Sequence, residues 1–239
     1  MPHRRVGPPR FRAADTRRPA RTGTPAAVVA LISGGADSAV LLRWLGRRFA
    51  AVFPVYVRFG LSWERAERAA LRRFLRAARL PRVRPLTVVE MPVAGSYGRH
   101  WSVTGRGVPG ARSDDRRMYL PGRNLMLLAR GAIVCDARRA GWIALGTLGA
   151  NPFGDATPRF RRMMGRVATL ALRRRVDVIA PFARAGKSAV LRAGRGLPLH
   201  LTLSCVAPAA GRHCGRCNKC AERRRAFAAA GIEDRTRYG

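Results

Sequence analysis

At residues 31–42 the chain reads LISGGADSAVLL: two glycines, two serines and an aspartate lie between an apolar run and a segment of helical spacing. Gly34 and Gly35 let backbone close in on a ligand, their amides can face an anion, and the following helix adds its positive end. Ser33 and Ser38 supply hydroxyl donors. Asp37 is a poor phosphate ligand alone, but beside a triphosphate it can help hold a magnesium ion, or it can cap the helix. Ile32, Ser33, Gly34, Gly35, Ala36, Asp37 and Ser38 therefore form a candidate phosphate cradle. Two familiar loops are excluded. The stretch holds no GxGxxG, and the Gly-Lys-Ser at 186–188 has Pro181 where a Walker loop needs glycine.

A second chemistry lies near the end of the chain. Cys205, Cys214, Cys217 and Cys220 are spaced C-x8-C-x2-C-x2-C. Such spacing brings thiolates onto one tetrahedral ion, and four of them close a structural zinc site. An iron–sulfur cluster would also use closely spaced cysteines, and free or redox-active thiols are the remaining reading. Disulfides are disfavoured in a chain that lacks a secretory segment. His213 adjoins Cys214 and could substitute as a ligand, but the four cysteines already fill a shell, so it reads as a surface residue. Cys135 reads as a small core residue.

These groups need a frame. Apolar runs predict strands at 26–32, 52–57, 83–91, 142–147 and 178–182, with Pro54 placing the second near a sheet edge. Helical spacing predicts helices at 38–48, 62–79, 124–139, 160–175 and 188–193, with Ser62 as a candidate N-cap. The alternation implies an α/β fold: an open, mostly parallel sheet with helices on both faces. In such sheets ligands bind beyond the carboxyl ends of the strands. SGGADS and GTLGANPFGDATP at 146–158 both fall there.

The 239 residues, 47% of them apolar, suit one such domain with a small appendage rather than a disordered chain. The expected organisation is a disordered basic tail over 1–25, an α/β domain over 26–200 and a cysteine-rich tail over 201–239. Within it, 92–120 is too long for an idle connection and is a candidate lid or substrate loop. No run approaches the ~20 apolar residues of a membrane span, so no membrane partner and a cytoplasmic location are expected. The net charge is +34, yet only Lys187 and Lys219 among the 47 basic residues are lysines. The excess of Arg, accompanied by Ala, points to GC-rich coding layered on solvated helix faces. A surface selected for nucleic acid is the other reading, and either would bind RNA non-specifically at low salt.

The SGGADS loop resembles the PP-loop of the ATP pyrophosphatase superfamily, which includes NAD synthetase, GMP synthetase and tRNA-thiolating enzymes. That resemblance implies an adenine nucleotide alpha hydrolase-like fold and the use of ATP with Mg²⁺. ATP is cleaved between its α and β phosphates, the loop holding pyrophosphate while a substrate oxygen attacks the α-phosphorus. Taken with the cysteines, the motif order from about residue 27 onward is similar to the 7-cyano-7-deazaguanine synthase family. The segments that carry it are YVRFGLSWERAE at 56–67, LPGRNL at 120–125, NPFGDATPRF at 151–160, residues 181–191 with Lys187, and CGRCNKCAERRRAFAAAGIEDRTRY at 214–238.

The resemblance implies a small-molecule substrate, 7-carboxy-7-deazaguanine, activated by ATP and converted with ammonia to the amide. A second ATP then drives dehydration to the nitrile, a queuosine precursor. It implies catalytic roles for Asp37, Lys187 and Arg123, and places Arg123 and Asn124 at the mouth of the site. Asp155 would accept from the guanine-like edge, and Lys187 would neutralise phosphate charge. Simpler roles exist for each: Asn124 as a helix cap, Asp155 as a turn residue beside Gly154, Lys187 as a surface lysine. Zn²⁺ at the four cysteines and a homodimer complete the implied set. The chain departs from the family at Arg58, where an acid is usual, at Leu61 in place of glutamine, and at Ala156 and Thr157 in place of Cys-Arg. An enzyme adenylating another carboxylate, or modifying tRNA directly, is the alternative. Thiolation of tRNA usually needs a cysteine pair outside the zinc site, and only Cys135 is available. A non-enzymatic RNA-binding zinc module has no use for the intact glycine loop.

Overall fold

A computed structural model describes residues 27–149 and 151–239. The tail expected over 1–25 lies outside the described residues. The frame is one parallel sheet of β1 (Val28–Leu31), β2 (Val52–Arg58), β3 (Thr87–Glu90), β4 (Trp142–Leu145) and β5 (Asp177–Ile179), in the order β3-β2-β1-β4-β5. β1 sits in the middle, with Val28 opposite both Val52 and Trp142. Its VVAL run is buried throughout because both faces of the sheet are covered. Successive side chains alternate between the faces. Val29 and Leu31 join the core that includes Leu128, Ala132 and Ala168, whereas Val28 and Ala30 join the core of Val40, Leu41, Val190 and Phe227.

Thus α5 (Arg123–Ala137) and α6 (Pro158–Leu172) cover one face. α1 (Ala36–Gly46), α2 (Glu64–Ala78), α7 (Lys187–Ala193) and α8 (Asn218–Ala230) lie largely over the other. The expected α/β class is the observed one. Among the described residues, no helix is long and apolar enough to cross a membrane.

Three local expectations change. Pro54 is not in an edge strand, since β2 lies between β3 and β1. Val52 donates its amide to Arg82 O (2.9 Å) and is bridged to Val83, but regular pairing with β3 resumes only at Val55–Thr87. Pro54 falls in that gap, where its missing N–H costs no ladder bond. Ser62 does not cap α2, which begins at Glu64 without a side-chain cap. Its amide instead donates to Ser102 O (2.9 Å) of the segment expected as a loop. That segment carries two short helices, α3 (Ala94–Tyr97) and α4 (Trp101–Thr104), and a 3₁₀ turn at Asp115–Met118. Val93, Met118 and Leu120 are buried, and Trp101 stacks on Trp63 at 5.6 Å between centroids.

Candidate functional site

Successive strands run outward from β1 in both directions, so the loops leaving β1 and β4 part and leave a crevice at their carboxyl ends. A cavity of about 330 Å³ opens there, lined among others by Ser33, Gly35, Asp37, Arg123, Thr147 and Lys187. Of the seven residues expected as the cradle, Ser33, Gly35 and Asp37 line it; Ile32, Gly34, Ala36 and Ser38 do not, and Ile32, Ala36 and Ser38 are buried.

The two glycines do different work. A Cβ on Gly34 would stand 2.7 Å from both Cγ and the carbonyl oxygen of Glu67, so Gly34 allows the loop to approach α2. Gly35 lines the cavity, and a Cβ there would meet only Ser33 Oγ inside 3.4 Å. The loop is pinned by its own serines. Ser38 Oγ accepts from Ser33 N (3.0 Å) and lies 3.2 Å from Ser33 Oγ, which accepts from Gly35 N (3.2 Å). α1 then starts with no side-chain cap, leaving the positive end of the helix turned toward the crevice.

Asp37 stands in that first turn. Its Oδ2 lies 3.2 Å from Lys187 Nζ, while its Oδ1 is buried without a hydrogen-bond partner. A buried oxygen left bare in this way is what a cation or a donor on a ligand would satisfy. Lys187 Nζ also donates to Glu222 Oε1 (2.9 Å), and Lys219 Nζ donates to Glu222 Oε2 (2.7 Å). Burial opposes the charge on Lys187, but Asp37 and then Glu222 outweigh it and hold its pKa above the ordinary lysine value. Burial would likewise raise Glu222, but the two ammonium groups pull it down to about 2. Lys219 and Glu222 escape a motif reading because neither belongs to a recognised phosphate motif. The signal was compositional: the only two lysines of the chain meet on one carboxylate.

Arg123 enters from α5, after Gly122 takes the left-handed backbone (φ 64°) that a side chain resists. Its guanidinium Nε is buried and unpartnered. Asn124 and Asp155 do not line the cavity; they bond each other. Asp155 accepts from Asn124 N (3.0 Å) and Asn124 Nδ2 (3.2 Å), so the carboxylate caps α5 from a 3₁₀ turn at Gly154–Ala156. Asn124 is the capped residue rather than the cap. Across the cavity Glu67 is buried and accepts from Tyr56 Oη (2.6 Å). Burial raises the Glu67 pKa, against the pull of Arg123. Glu64 accepts from Phe59 N (2.7 Å) and Gly60 N (3.1 Å), which ties the end of β2 to α2.

The four departures from the family pattern all have work away from the cavity. Arg58 pairs with Glu90, Leu61 and Ala156 are buried, and Thr157 caps α6 by accepting from Phe160 N (3.2 Å).

The four tail cysteines are buried, and their sulfurs lie within 4.8 Å of one another. Thiolates about 2.3 Å from a tetrahedral ion stand roughly 3.8 Å apart, so the set fits a single metal ion with small closure. Cys205 Sγ also accepts from Ala207 N (3.4 Å) and Cys214 N (3.3 Å), as an anionic sulfur would. His213 is buried, not at the surface as expected. Its Nε2 accepts from Ser204 N (3.1 Å), and burial, then Arg223, lowers its pKa to about 4. Cys135 is a core residue, its thiol donating to Trp142 O (3.2 Å) and its pKa pushed up to about 12, chiefly by burial.

Residues 27–231 match the family described as queuosine biosynthesis protein QueC. A 7-cyano-7-deazaguanine synthase of Anaeromyxobacter sp. (strain Fw109-5) is 33% identical, the alignment covering 92% of this chain and 98% of the relative. Another 7-cyano-7-deazaguanine synthase, from Methanothermobacter thermautotrophicus, is 30% identical over 88% of this chain and 98% of its own. Among solved structures, the U34-tRNA thiolase NcsA from Methanococcus maripaludis with its [4Fe-4S] cluster superposes with a TM-score of 0.48 at 14% identity. That match covers 86% of this chain and 65% of the thiolase.

Proposed function

The chain belongs to the queuosine biosynthesis protein QueC family, and we propose that it converts 7-carboxy-7-deazaguanine, ATP and ammonia into 7-cyano-7-deazaguanine. The observation that carries this reading is the bare Oδ1 of Asp37, set beside Lys187 under the serine-pinned glycine loop. In this reading the substrate carboxylate attacks the α-phosphorus and pyrophosphate leaves with the electrons of the bridging P–O bond. Ammonia adds at the acyl carbon, loses a proton and expels AMP to give the amide. The amide oxygen is adenylated by a second ATP, and loss of AMP and the two nitrogen protons leaves the nitrile.

The chain's own residues serve binding and charge. Gly35 gives the phosphates room, and the open end of α1 with Lys187 offsets the negative charge that collects on the leaving pyrophosphate. Arg123, held by the Asp155 cap on α5, directs its guanidinium into the same cavity, where it can meet phosphate or carboxylate. Asn124 and Asp155 act as the support of Arg123 rather than as direct readers of the heterocycle. Mg²⁺, held with help from Asp37, would screen the phosphate charge and orient the triphosphate. Zn²⁺ at Cys205, Cys214, Cys217 and Cys220 would be structural, because four protein ligands leave no open position for catalysis.

Incubation with the acid, ATP, Mg²⁺ and ammonium, followed by mass spectrometry, should give the nitrile with AMP and pyrophosphate. ATP turnover without nitrile would sink the substrate assignment. An Asp37→Ala protein should lose ATP cleavage while keeping the metal at its four cysteines. Normal activity in that variant would refute the phosphate-loop reading.

A further inference from the structure

Only two lysines occur in a chain that otherwise uses arginine for its basic side chains, and both line one cavity and share one carboxylate. We propose that Lys219, which with Asn218 lies between Cys217 and Cys220 of the sulfur cluster, binds the polyphosphate of the nucleotide as a partner of Lys187. The proposal rests on the ATP reading above and adds to it a phosphate ligand supplied by the cysteine tail.

The donor count supports it. An ammonium has three N–H bonds and no acceptor. Lys187 directs its donors to both Asp37 and Glu222, at 16% side-chain exposure. Lys219 directs one to Glu222 and has no second acceptor among the described residues, at 29% exposure. Lys219 therefore stands nearer the rim with more donor capacity to give a ligand. Glu222 holds the two ammonium groups side by side through its two oxygens, and offsets their repulsion until an anion arrives. A compact ammonium suits this shared carboxylate, because each lysine takes one oxygen from its own direction. The broad planar fork of an arginine favours taking both.

The tail fixes where Lys219 stands. Its two neighbouring cysteines belong to the sulfur cluster, and α8 begins within the same turn. Asn218 ties that turn to the 92–120 segment: its amide donates to Pro109 O (3.0 Å), and its Nδ2 donates to Ser113 O (3.0 Å) and Asp115 Oδ1 (3.0 Å). The first turn of α8 is thus anchored on two sides, and Lys219 projects from it into the cavity.

The test is calorimetric titration of inorganic pyrophosphate, and separately of AMP, into the metal-loaded full chain and its Lys219→Met and Arg225→Met variants. Arg225 is exposed on the same helix, so its variant removes an equal charge away from the cavity. Loss of one charge-assisted hydrogen bond at a partly exposed site should weaken pyrophosphate binding about tenfold in Lys219→Met. AMP binding in that variant, and both ligands in Arg225→Met, should stay within about twofold of the unmodified chain. Unchanged pyrophosphate affinity in Lys219→Met would overturn the proposal. So would equal weakening of AMP and pyrophosphate, which is the signature of a collapsed site. If the unmodified chain binds neither pyrophosphate nor AMP, the phosphate-loop reading itself falls, and this inference with it.

Discussion

Replacing Glu222 by glutamine should remove the carboxylate that holds Lys187 and Lys219 together while nearly preserving side-chain shape. Glu222 is 22% exposed, and its pKa drops from the ordinary 4.5 to about 2. Burial works against that drop, so the ammonium groups 2.9 and 2.7 Å away must more than offset it. A pKa depressed in the folded state stabilises the fold above the unfolded value and loses that stabilisation as pH falls through the folded value. The displacement corresponds to about 3 kcal/mol at pH 7 as a ceiling, and solvent screening brings the expected effect nearer 2 kcal/mol. Urea unfolding at pH 7, 5 and 4, at fixed ionic strength, should show Glu222→Gln less stable by about that amount at pH 7. The gap should narrow by roughly 1 kcal/mol by pH 4, because glutamine has no proton to gain. A gap that is the same at pH 7 and pH 4, or absent at both, would refute the claim that charge rather than shape makes this contact.

Further outcomes test the frame around the site. Gly34→Ala should lower stability by about 1–3 kcal/mol, since the added methyl meets Glu67 backbone at 2.7 Å; an unchanged melting midpoint would contradict that close approach. Asp155→Ala should cost about 1 kcal/mol through the lost cap of α5, with Asp155→Asn retaining most of it, as read from urea midpoints. Stripping metal with a chelator should lower far-ultraviolet helicity, because the binding energy of the ion is folding energy for the turn that starts α8. Unaltered helicity after verified metal loss would argue against a structural role.

Much of the frame is legible in the sequence. Apolar runs with buried-strand character, separated by helical spacing, determined a parallel α/β sheet, because both its faces must be covered. The glycine loop could be placed at a strand end because the local order of strand, small residues and helix fixes its own geometry. The C-x2-C-x2-C spacing likewise brings Cys214, Cys217 and Cys220 together by local backbone, while Cys205 joins them from nine positions earlier. Tertiary structure decided the roles that depend on distant partners. Asp155 caps α5 across 31 positions of sequence, which turned Asn124 from a cap into the residue that is capped. Pro54 sits in a central strand because its neighbour happens to leave the ladder there, and His213 is buried because the chain folds back over it. Lys219 reaches the cavity from the far end of the chain, 182 positions after Asp37, a meeting that no local pattern encodes. Hydrophobic period and backbone freedom are local properties and can be read along a chain. Hydrogen bonds and ion pairs between remote segments exist only after folding has brought them within reach.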